Sequence, residues 1–550
     1  MPMTAQRKNT QSAGIPAPVR GIVASGVYTG TGAAIAENAV GGDSAIWLYN
    51  MIAGEYGCRV RPGSREFATN IPSQVGFDAV RTVMFYNSVV AGGAGGIDST
   101  FAVTDAGIYD VSAGGAGPWD FVPATSLVWP SQGGDAGWCS YLNYTNVAGD
   151  HFLLVCDEQN GYYIFDGTTW APGNFTGTPK PLPADLVQIV EWNARVWFVE
   201  KNTARAWFLD PLALEGGIES MDVGSRFKEG GHLVQCSTWT HDDGSGMDDK
   251  FVMISSAGDV LVWNGTDPTT AADLTLLGRW AVGTVPEGRR VMSDWGGDVL
   301  ILTSTGLLTL SALMRGIATL NPGEHLSHNI NQYLRQEMQK SINEYGWAAE
   351  LYPAQGIAVF SVPQPPSSTR APIQFVLATA TGSWSMFRDL DMVSMTQVNA
   401  GFAFGTNNGR VMLFEGTVDE ATLAGDSAQG IAFSMLTHYS GIGNPAAWKR
   451  MQFIRPYWIG DGLPAYNVQT RYDFDLSEIY TSPDPSGSDI STWDGAVWDE
   501  DVWAGTAQSY LETVGLRGMG RHVAIALRGI ATNELTYIGA DVMYDTGGDL

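Results

Sequence analysis

The sequence predicts an all-β protein in which many short strands are joined by tight turns. Glycine makes up 67 of the 550 residues without a three-residue period, hydrophobic residues make up 44%, and charged residues make up 16%. This composition indicates a folded, turn-rich chain and excludes collagen-like and disordered classes. A third observation is a short phrase that recurs along the chain.

The recurring phrase combines a turn, a strand and a second turn. It occurs as QNGYYIFDGTTW at 159–170, AGDVLVWNGTD at 257–267 and NGRVMLFEGT at 408–417. Glycine or Asn-Gly permits positive φ at the turn, and the aromatic and β-branched residues that follow suit a pleated strand. The same pattern predicts seven strands: Ile108–Val111, Tyr163–Asp166, Trp207–Asp210, Val260–Trp263, Leu307–Leu310, Trp384–Phe387 and Val411–Phe414.

The spacing of these strands predicts the architecture. Their starts are separated by 55, 44, 53, 47, 77 and 27 residues, and most intervals lie near the roughly 40–50 residues of a propeller blade. A small antiparallel sheet cannot bury both of its faces alone, whereas radial stacking hides them. We therefore predict a β-propeller of six or seven blades over 76–416, with the short last interval indicating a partial or closing blade. The alternative is a series of β-sandwiches.

One segment departs from the strand pattern. NPGEHLSHNINQYLRQEMQKSINEY at 321–345 has capping residues at its start and apolar residues at Leu326, Ile330, Leu334, Met338 and Ile342. The spacing predicts an amphipathic helix inserted in the propeller. We expect it to pack on its own propeller, and the alternative is contact with a neighbouring subunit.

The two ends of the chain differ from the middle. Residues 1–75 are rich in Gly, Ala and Pro, and 417–550 contain longer, cleanly alternating strands such as MQFIRPYWIG at 451–460. We predict that both ends form a β-sandwich-like platform. A Trp-rich arm, STWDGAVWDEDVWAG at 491–505, carries Trp493, Trp498 and Trp503, whose five-residue step fits neither a helix face nor a strand face.

Charge and cysteine content limit the partners. The net charge is −27, and no cluster of Lys or Arg is present, so tight binding of nucleic acid is not expected. HDDGSGMDD at 241–249 predicts an acidic surface at a hairpin tip, formed by Asp242, Asp243, Asp248 and Asp249; a chance calcium site is the alternative. The four cysteines form no CxxC pair, and we expect them to be buried in a reducing compartment. No secretory signal or apolar membrane span is expected.

Catalytic motifs are weak or incomplete. DGTTW at 166–170 approaches the Asp-box turn of sialidases but lacks one residue, so Asp166 is expected to be a turn residue. GTGAAI at 30–35 lacks the last glycine of a nucleotide-binding loop. His325 and His328 are spaced as a metal pair beside Glu324, but no third ligand is evident. We predict no catalytic, cofactor or metal site and no enzymatic activity.

The segment 45–87 carries the most specific motif. AIWLYNMIAGEYGCRVRPGSREFATNIPSQVGFDAVRTVMFYN resembles the N-terminal segment of tail nozzle proteins of short-tailed bacteriophages, which are also described as head–tail or packaged-DNA stabilisation proteins. The matching residues are Asn50, Gly57, Arg59, Val60, Arg61, Pro62, Gly63, Arg65, Phe67, Ala68, Val80, Arg81 and Tyr86. WDGAVWDEDVW at 493–503 and 515–548 resemble the closing segment of that family. Tyr49 and the Gly-rich tip at 91–96 depart from its pattern.

The resemblance implies a structural protein of the virion, assembled in the host cytoplasm. Such a protein would form a ring, expected to be a hexamer, that encloses the DNA exit channel below the portal and adaptor, retains packaged DNA and guides its ejection. An acidic wall would keep DNA from sticking, and one heterologous contact repeated around the ring would close it. The adaptor and tail fibre or needle proteins are the implied partners. Trp493, Trp498, Trp503, Arg59, Arg61 and Arg65 are the candidate subunit-interface residues.

Two other functions remain open from the sequence. A receptor- or glycan-binding propeller would use exposed Trp side chains for stacking, and a propeller hydrolase would use acidic residues. Trp493, Trp498 and Trp503 could equally pack on their own domain.

Overall fold

The structure is a computed structural model that describes most of the chain. The described residues are 10–24, 43–74, 78–88, 98–117, 119, 125–242, 247–270, 273–316, 325–364, 372–398, 401–420, 428–462, 464–479 and 508–547. The side chains of residues 241–248 and 508 are not described.

The N-terminal region contributes strands to both parts of the fold. These strands are β1 Thr10–Pro16, β2 Ala45–Tyr49, β3 Met51–Ala53, β4 Cys58–Val60 and β5 Arg65–Ala68.

Four blades follow in chain order. The first contains β6 Thr82–Tyr86, β7 Ser99–Val103, β8 Gly107–Asp110 and β9 Leu127–Val128. The second contains β10 Cys139–Thr145, β11 His151–Asp157, β12 Gly161–Phe165 and β13 Trp170–Pro172. The third contains β14 Phe175–Thr176, β15 Leu186–Trp192, β16 Arg195–Glu200, β17 Arg205–Leu209 and β18 Gly216–Asp222. The fourth contains β19 Leu233–Asp242, β20 Met247–Ser255, β21 Asp259–Asn264 and β22 Thr275–Ala281.

The remaining strands complete the propeller and build the platform. The fifth blade contains β23 Met292–Asp294, β24 Val299–Thr303 and β25 Gly306–Thr309. A group of four strands, here called the shared group, contains β26 Ala348–Tyr352, β27 Ile357–Ser361, β28 Ile373–Ala378 and β29 Ser383–Arg388. The last blade contains β30 Ser394–Val398, β31 Gly401–Gly405 and β32 Val411–Leu413. The C-terminal strands are β33 Val418–Asp419, β34 Gln429–Thr437, β35 Lys449–Gly460, β36 Ala465–Tyr472, β37 Gln508–Leu511, β38 Val514–Gly515, β39 Met519–Gly520, β40 Val523–Ala531 and β41 Leu535–Thr546.

The blades form a closed ring. The innermost strands β6, β10, β15, β19, β23, β26 and β30 contact one another in this order, and β30 contacts β6. Six blades are separate sheets, whereas the shared group is one end of a nine-stranded sheet that continues into the platform. The last blade is completed by β5, which pairs with β32 through Ala68 and Val411. The predicted β-propeller is confirmed, and its ring is closed by an N-terminal strand.

The recurring phrase marks the same place in almost every blade. It falls on β8, β12, β17, β21, β25 and β32, each the third strand counted from the axis, and on β29, the fourth strand of the shared group. The interval of 77 residues is long because the helical segment precedes the shared group and because the phrase lies on the fourth strand of that group, not on the third. The next interval, 27 residues, is short for the second of these reasons.

The platform consists of two packed sheets formed by both ends of the chain. One sheet has the order β3-β4-β41-β35-β37 and includes β1, β38 and β39; the other is the β2-β34-β40-β36 part of the nine-stranded sheet. Their shared core includes Leu48, Phe433, Trp458, Ile525 and Tyr537. The Trp458 ring lies 5.7 Å from the Phe433 ring and 5.1 Å from the Tyr537 ring. The predicted sandwich-like platform is confirmed.

The predicted helical insertion lies between the fifth blade and the shared group. A 3₁₀ turn, His328–Ile330, leads into an α-helix, Asn331–Ser341, and a shorter α-helix, Leu310–Met314, follows β25. Leu334 and Met338 are buried in the same core as the platform residues. The helix therefore packs on its own chain, as the favoured interpretation of the pattern states. Residues 317–324, with the predicted cap at Asn321, lie outside the described residues.

The predicted domain boundary at residue 76 divides the propeller. Strand β5 precedes that boundary, yet its hydrogen-bonding partner is β32 of the last blade. Local composition could not show this pairing because the two strands are far apart in the sequence.

Candidate functional site: the joint between propeller and platform

The motif segment at 50–68 lies where the propeller meets the platform, and Asn50 is its centre. Asn50 adopts φ 57°, a left-handed conformation that Asn tolerates better than most residues. Its Nδ2 donates to the carbonyl oxygens of Arg388 at 3.0 Å and Ala432 at 2.7 Å. Its Oδ1 accepts from Arg388 N at 2.9 Å and from Arg61 Nε at 3.1 Å. One amide therefore ties β29 of the shared group to β34 of the platform.

Arg61 is buried and bonded within its own chain. Its Nη1 and Nη2 donate to Oδ1 and Oδ2 of Asp419 at 2.7 and 2.6 Å, a bidentate ion pair. The side chain of Arg61 is 1% exposed and that of Asp419 is 19% exposed. Because Arg61 is buried inside the chain, it is not available to a neighbouring subunit. Arg61 was predicted to contact a neighbouring subunit, but in the structure it forms an ion pair within its own chain.

Two glycines of the motif permit close approach of backbones. A Cβ atom on Gly63 would lie 2.0 Å from the carbonyl oxygen of Val418, and one on Gly57 would lie 2.4 Å from that of Tyr537. Gly63 N donates to Gly416 O at 2.9 Å. The motif therefore requires glycine at both positions for packing of the joint.

The other two predicted interface arginines remain closer to the surface. Arg59 donates to the side-chain and main-chain oxygens of Gln355 at 2.7 and 2.8 Å, and burial lowers its pKa from the usual value. Arg65 on β5 forms an ion pair with Glu415, and both side chains are about half exposed, at 47% and 51%. Their contact with a neighbouring subunit stays a prediction.

Several residues of the predicted subunit interface and acidic surface lie outside the described residues, or have side chains that are not described. Trp493, Trp498, Trp503 and Asp243 lie outside the described residues. Asp242 and Asp248 lie on β19 and β20, and their side chains are not described. Asp249 on β20 is half-buried, and its carbonyl oxygen accepts from Trp192 Nε1 at 2.9 Å.

Asp166 forms a turn, as expected from the sequence. Its Oδ1 accepts from the backbone N–H groups of Thr168 and Thr169 at 2.8 and 2.7 Å. Among the described residues, no group of three His, Cys, Asp or Glu side chains is placed to hold a metal ion. His325 is buried, while Glu324 lies outside the description.

Polar side chains on the innermost strands link neighbouring blades. Gln188 on β15 bonds to N and O of Cys236 on β19, and Gln235 bonds in the same way to Met292 on β23. Shorter polar side chains make equivalent links elsewhere in the ring. These are Thr82 to Gly137, Ser140 to Ile189 and Ser394 to Val80.

Arg289 and Glu158 are buried charged residues close to these inter-blade hydrogen bonds. Arg289 donates from Nε and Nη2 to the Glu158 carboxylate at 2.9 and 3.0 Å. Arg290 donates to Thr82 Oγ1 at 2.6 Å and to Cys139 O at 2.9 Å, which joins the approach to β23 with the first two blades. Arg290 therefore connects blades that lie across the ring from each other. Sequence patterning did not reveal this function of Arg289 and Arg290; their adjacency directly before an inner strand was the available signal.

A cavity of about 640 Å³ is lined mainly by residues that precede the inner strands β6, β10, β26 and β30. Trp138 and Tyr345 line it with stacked rings 5.9 Å apart. Arg81 and Arg290 place their guanidinium groups 5.9 and 5.8 Å from the Trp138 ring. Carboxylates of Asp78, Asp135, Glu344 and Asp391 also line the cavity.

Comparison with known proteins supports no family assignment. No family model matches the chain, and no curated protein matches it. Among solved structures, the chain is similar to Saccharomyces cerevisiae Sqt1 at 11% identity over 69% of this chain and 97% of that one, with a TM-score of 0.36. It is similar to YCF48 from Cyanidioschyzon merolae at 11% identity over 64% and 98%, with a TM-score of 0.33. It also matches the computationally designed Ika8 protein at 10% identity over 63% and 99%, with a TM-score of 0.34. Such similarity carries no functional inference, and the propeller assignment follows from the strand pairing.

The chain is a propeller protein with a platform built from both of its ends. No helix among the described residues is long and apolar enough to cross a lipid bilayer.

Proposed function

We propose that this chain is a structural protein of a short-tailed phage virion. It would form the tail nozzle ring that encloses the DNA exit channel below the portal and adaptor. The supporting observation is the joint: Asn50, Arg61 and Gly63, which match the family motif, unite propeller and platform. The two segments that resemble the family also pair directly, since β4 pairs with β41. The proposal assigns the chain no catalytic role.

The bonds across the propeller ring bear on where DNA would pass. Because Arg290, at the start of the fifth blade, bonds to the first two blades across the ring, this proposal places the DNA channel between subunits and not along the propeller axis. A chain with a net charge of −27 would present a surface that repels DNA phosphates, so DNA could slide past it during ejection.

Quantitative mass spectrometry of purified virions tests this function. Particles of the phage that encodes the chain should contain it in several copies each, in a fixed ratio to the portal protein. Particles purified after treatment with a mild protease should retain it, which separates a built-in component from a carried-over contaminant. Absence from intact virions would contradict the proposal.

A receptor- or glycan-binding propeller is the second candidate, favoured by the cavity that Trp138 and Tyr345 line. Stacked aromatic rings beside carboxylates and amides suit the apolar faces and hydroxyl groups of a sugar. Trp138→Ala should then abolish binding on a glycan array, while Trp280→Ala, outside the cavity, should not. Failure of the wild-type protein to bind any glycan would remove this candidate.

A further inference from the structure

The platform sheet has an open edge at β1. Strand β1 pairs with β41 over seven residues without a register shift, and β41 pairs on its other side with β35. No other described strand pairs with β1. Proteins usually protect such an edge with charged residues, proline or bulges. The β1 sequence, TQSAGIP, has no charged residue and no bulge, and its one proline is its last residue, so the outer backbone groups of Ser12 and Gly14 have no strand partner among the described residues.

The alternation of hydrogen bonds along the β1–β41 pair shows which backbone N–H and C=O groups of β1 face away from β41. Ala17 N donates to Ile538 O at 3.1 Å, which continues the β1–β41 register beyond Pro16. Opposite residues in an antiparallel pair alternate between bonded and non-bonded positions. The backbone groups of Ala13 and Ile15 therefore face β41, and those of Ser12 and Gly14 face outward. Pro16, which has no N–H to donate, occupies an outward position.

The outer face of this sheet is polarised from one edge to the other. Asp541 and Asp545 lie on β41, beside β1, and are opposite Arg455 and Arg450 on β35. Beyond β35, the opposite edge is formed by β37, β38 and β39. Carboxylates therefore lie toward one edge and arginines toward the other.

Exposed apolar side chains accompany this polarity. Met519 on β39 is 63% exposed and Leu511 on β37 is 54% exposed, at the edge opposite β1. Phe453 and Met543 are neighbours on the same face and are 45% and 43% exposed. These exposed apolar side chains would lose contact with water if the sheet were extended by another copy.

We propose that the β1 edge of one copy pairs with the β37–β39 edge of the next copy, head to tail. The inference deepens the proposed function and rests on it, because the ring would be built from this contact. Two different edges of one sheet give a heterologous contact, which forms a ring when the rotation between copies closes. Added backbone hydrogen bonds would supply affinity, and the exposed apolar side chains at the β37–β39 edge would be covered.

Ser12→Pro tests the contact because it removes an outward N–H and leaves the pairing with β41 intact. The full-length variant should melt as the wild type does but associate at least tenfold more weakly, measured by sedimentation velocity. Ser12→Ala, which keeps the N–H, should assemble normally. Ala13→Pro removes an inward N–H and should lower the melting temperature. Wild-type assembly by a folded Ser12→Pro variant would overturn the inference.

Met519→Lys on the opposite edge supplies a test that does not depend on β1. This variant should likewise associate at least tenfold more weakly than the wild type, whereas an equal mixture with Ser12→Pro should form heterodimers, because the mixture retains one intact contact. Assembly of Met519→Lys alone, or no heterodimers in the mixture, would overturn the head-to-tail contact. If the wild-type protein and both variants all formed rings, the proposed nozzle function would remain supported, but the β1 edge would not be the contact between copies. If the wild-type protein formed no oligomer, both would fail.

Discussion

Loss of the Arg61 guanidinium should destabilise the joint between propeller and platform. Arg61→Ala would leave the Asp419 carboxylate without its bidentate partner and Asn50 Oδ1 without one of its two donors. Removing one member of a buried pair costs about 3–5 kcal/mol, and the partial exposure of Asp419 reduces this to about 2–4 kcal/mol. We therefore expect a loss of this size in the free energy of unfolding.

A double variant separates the unpaired charge from the loss of packing. Arg61→Leu with Asp419→Leu removes both charges, so the double variant should be more stable than the sum of the single losses by about 1–3 kcal/mol. Arg65→Ala is the matched control, because its pair with Glu415 is half exposed and should contribute less than about 1 kcal/mol.

Urea unfolding of the full-length protein measures these differences. Tryptophan fluorescence and far-ultraviolet circular dichroism should first be compared, because coincident transitions justify a single free energy of unfolding. If Arg61→Ala were as stable as Arg65→Ala, the buried ion pair would not stabilise the joint. Strict additivity of the Arg61 and Asp419 substitutions would contradict a direct interaction between the two side chains.

Three further outcomes follow from the structure. Gly63→Ala should cost about 1–3 kcal/mol of stability because its Cβ would meet Val418 O at 2.0 Å, while Gly515→Ala, with open space, should change stability by less than about 0.5 kcal/mol; equal effects in chemical denaturation would contradict this. Burial raises the pKa of Glu350 from 4.5 to about 7, so its stabilising contribution is present below pH 4.5 and is lost as pH rises through 7. Glu350→Gln should therefore match the wild type near pH 4.5 and exceed its stability by about 1–3 kcal/mol at pH 8, and a pH-independent difference in melting experiments would count against it. Duplex DNA should show negligible binding at ~50 mM salt by fluorescence anisotropy, because few cations are available to displace counterions, and submicromolar binding that weakens with salt would show otherwise.

The repeated strand could be predicted because its cause is local. Turn glycines and alternating aromatic residues specify a strand within a few positions, so the phrase identified a strand in each of the seven groups around the ring. The helix Asn331–Ser341 was predicted for the same reason, since its apolar residues recur along one face.

The joint could not be predicted because its partners are distant in the chain. Arg61 and Asp419 are 358 residues apart, and a charged residue in an isolated sequence is expected at the surface. The pairing of β5 with β32 is equally non-local, which is why the predicted boundary at 76 separated a strand from its blade. The motif resemblance located Asn50, Arg61 and Gly63, but only the structure showed that they bond and pack within one chain.

Electron microscopy of the purified full-length protein tests the nozzle proposal most directly. We expect hollow rings whose central channel lies between subunits, with each propeller axis outside that channel. Particles that remain the size of a single propeller and platform at every concentration, including in the presence of portal and adaptor proteins, would contradict it.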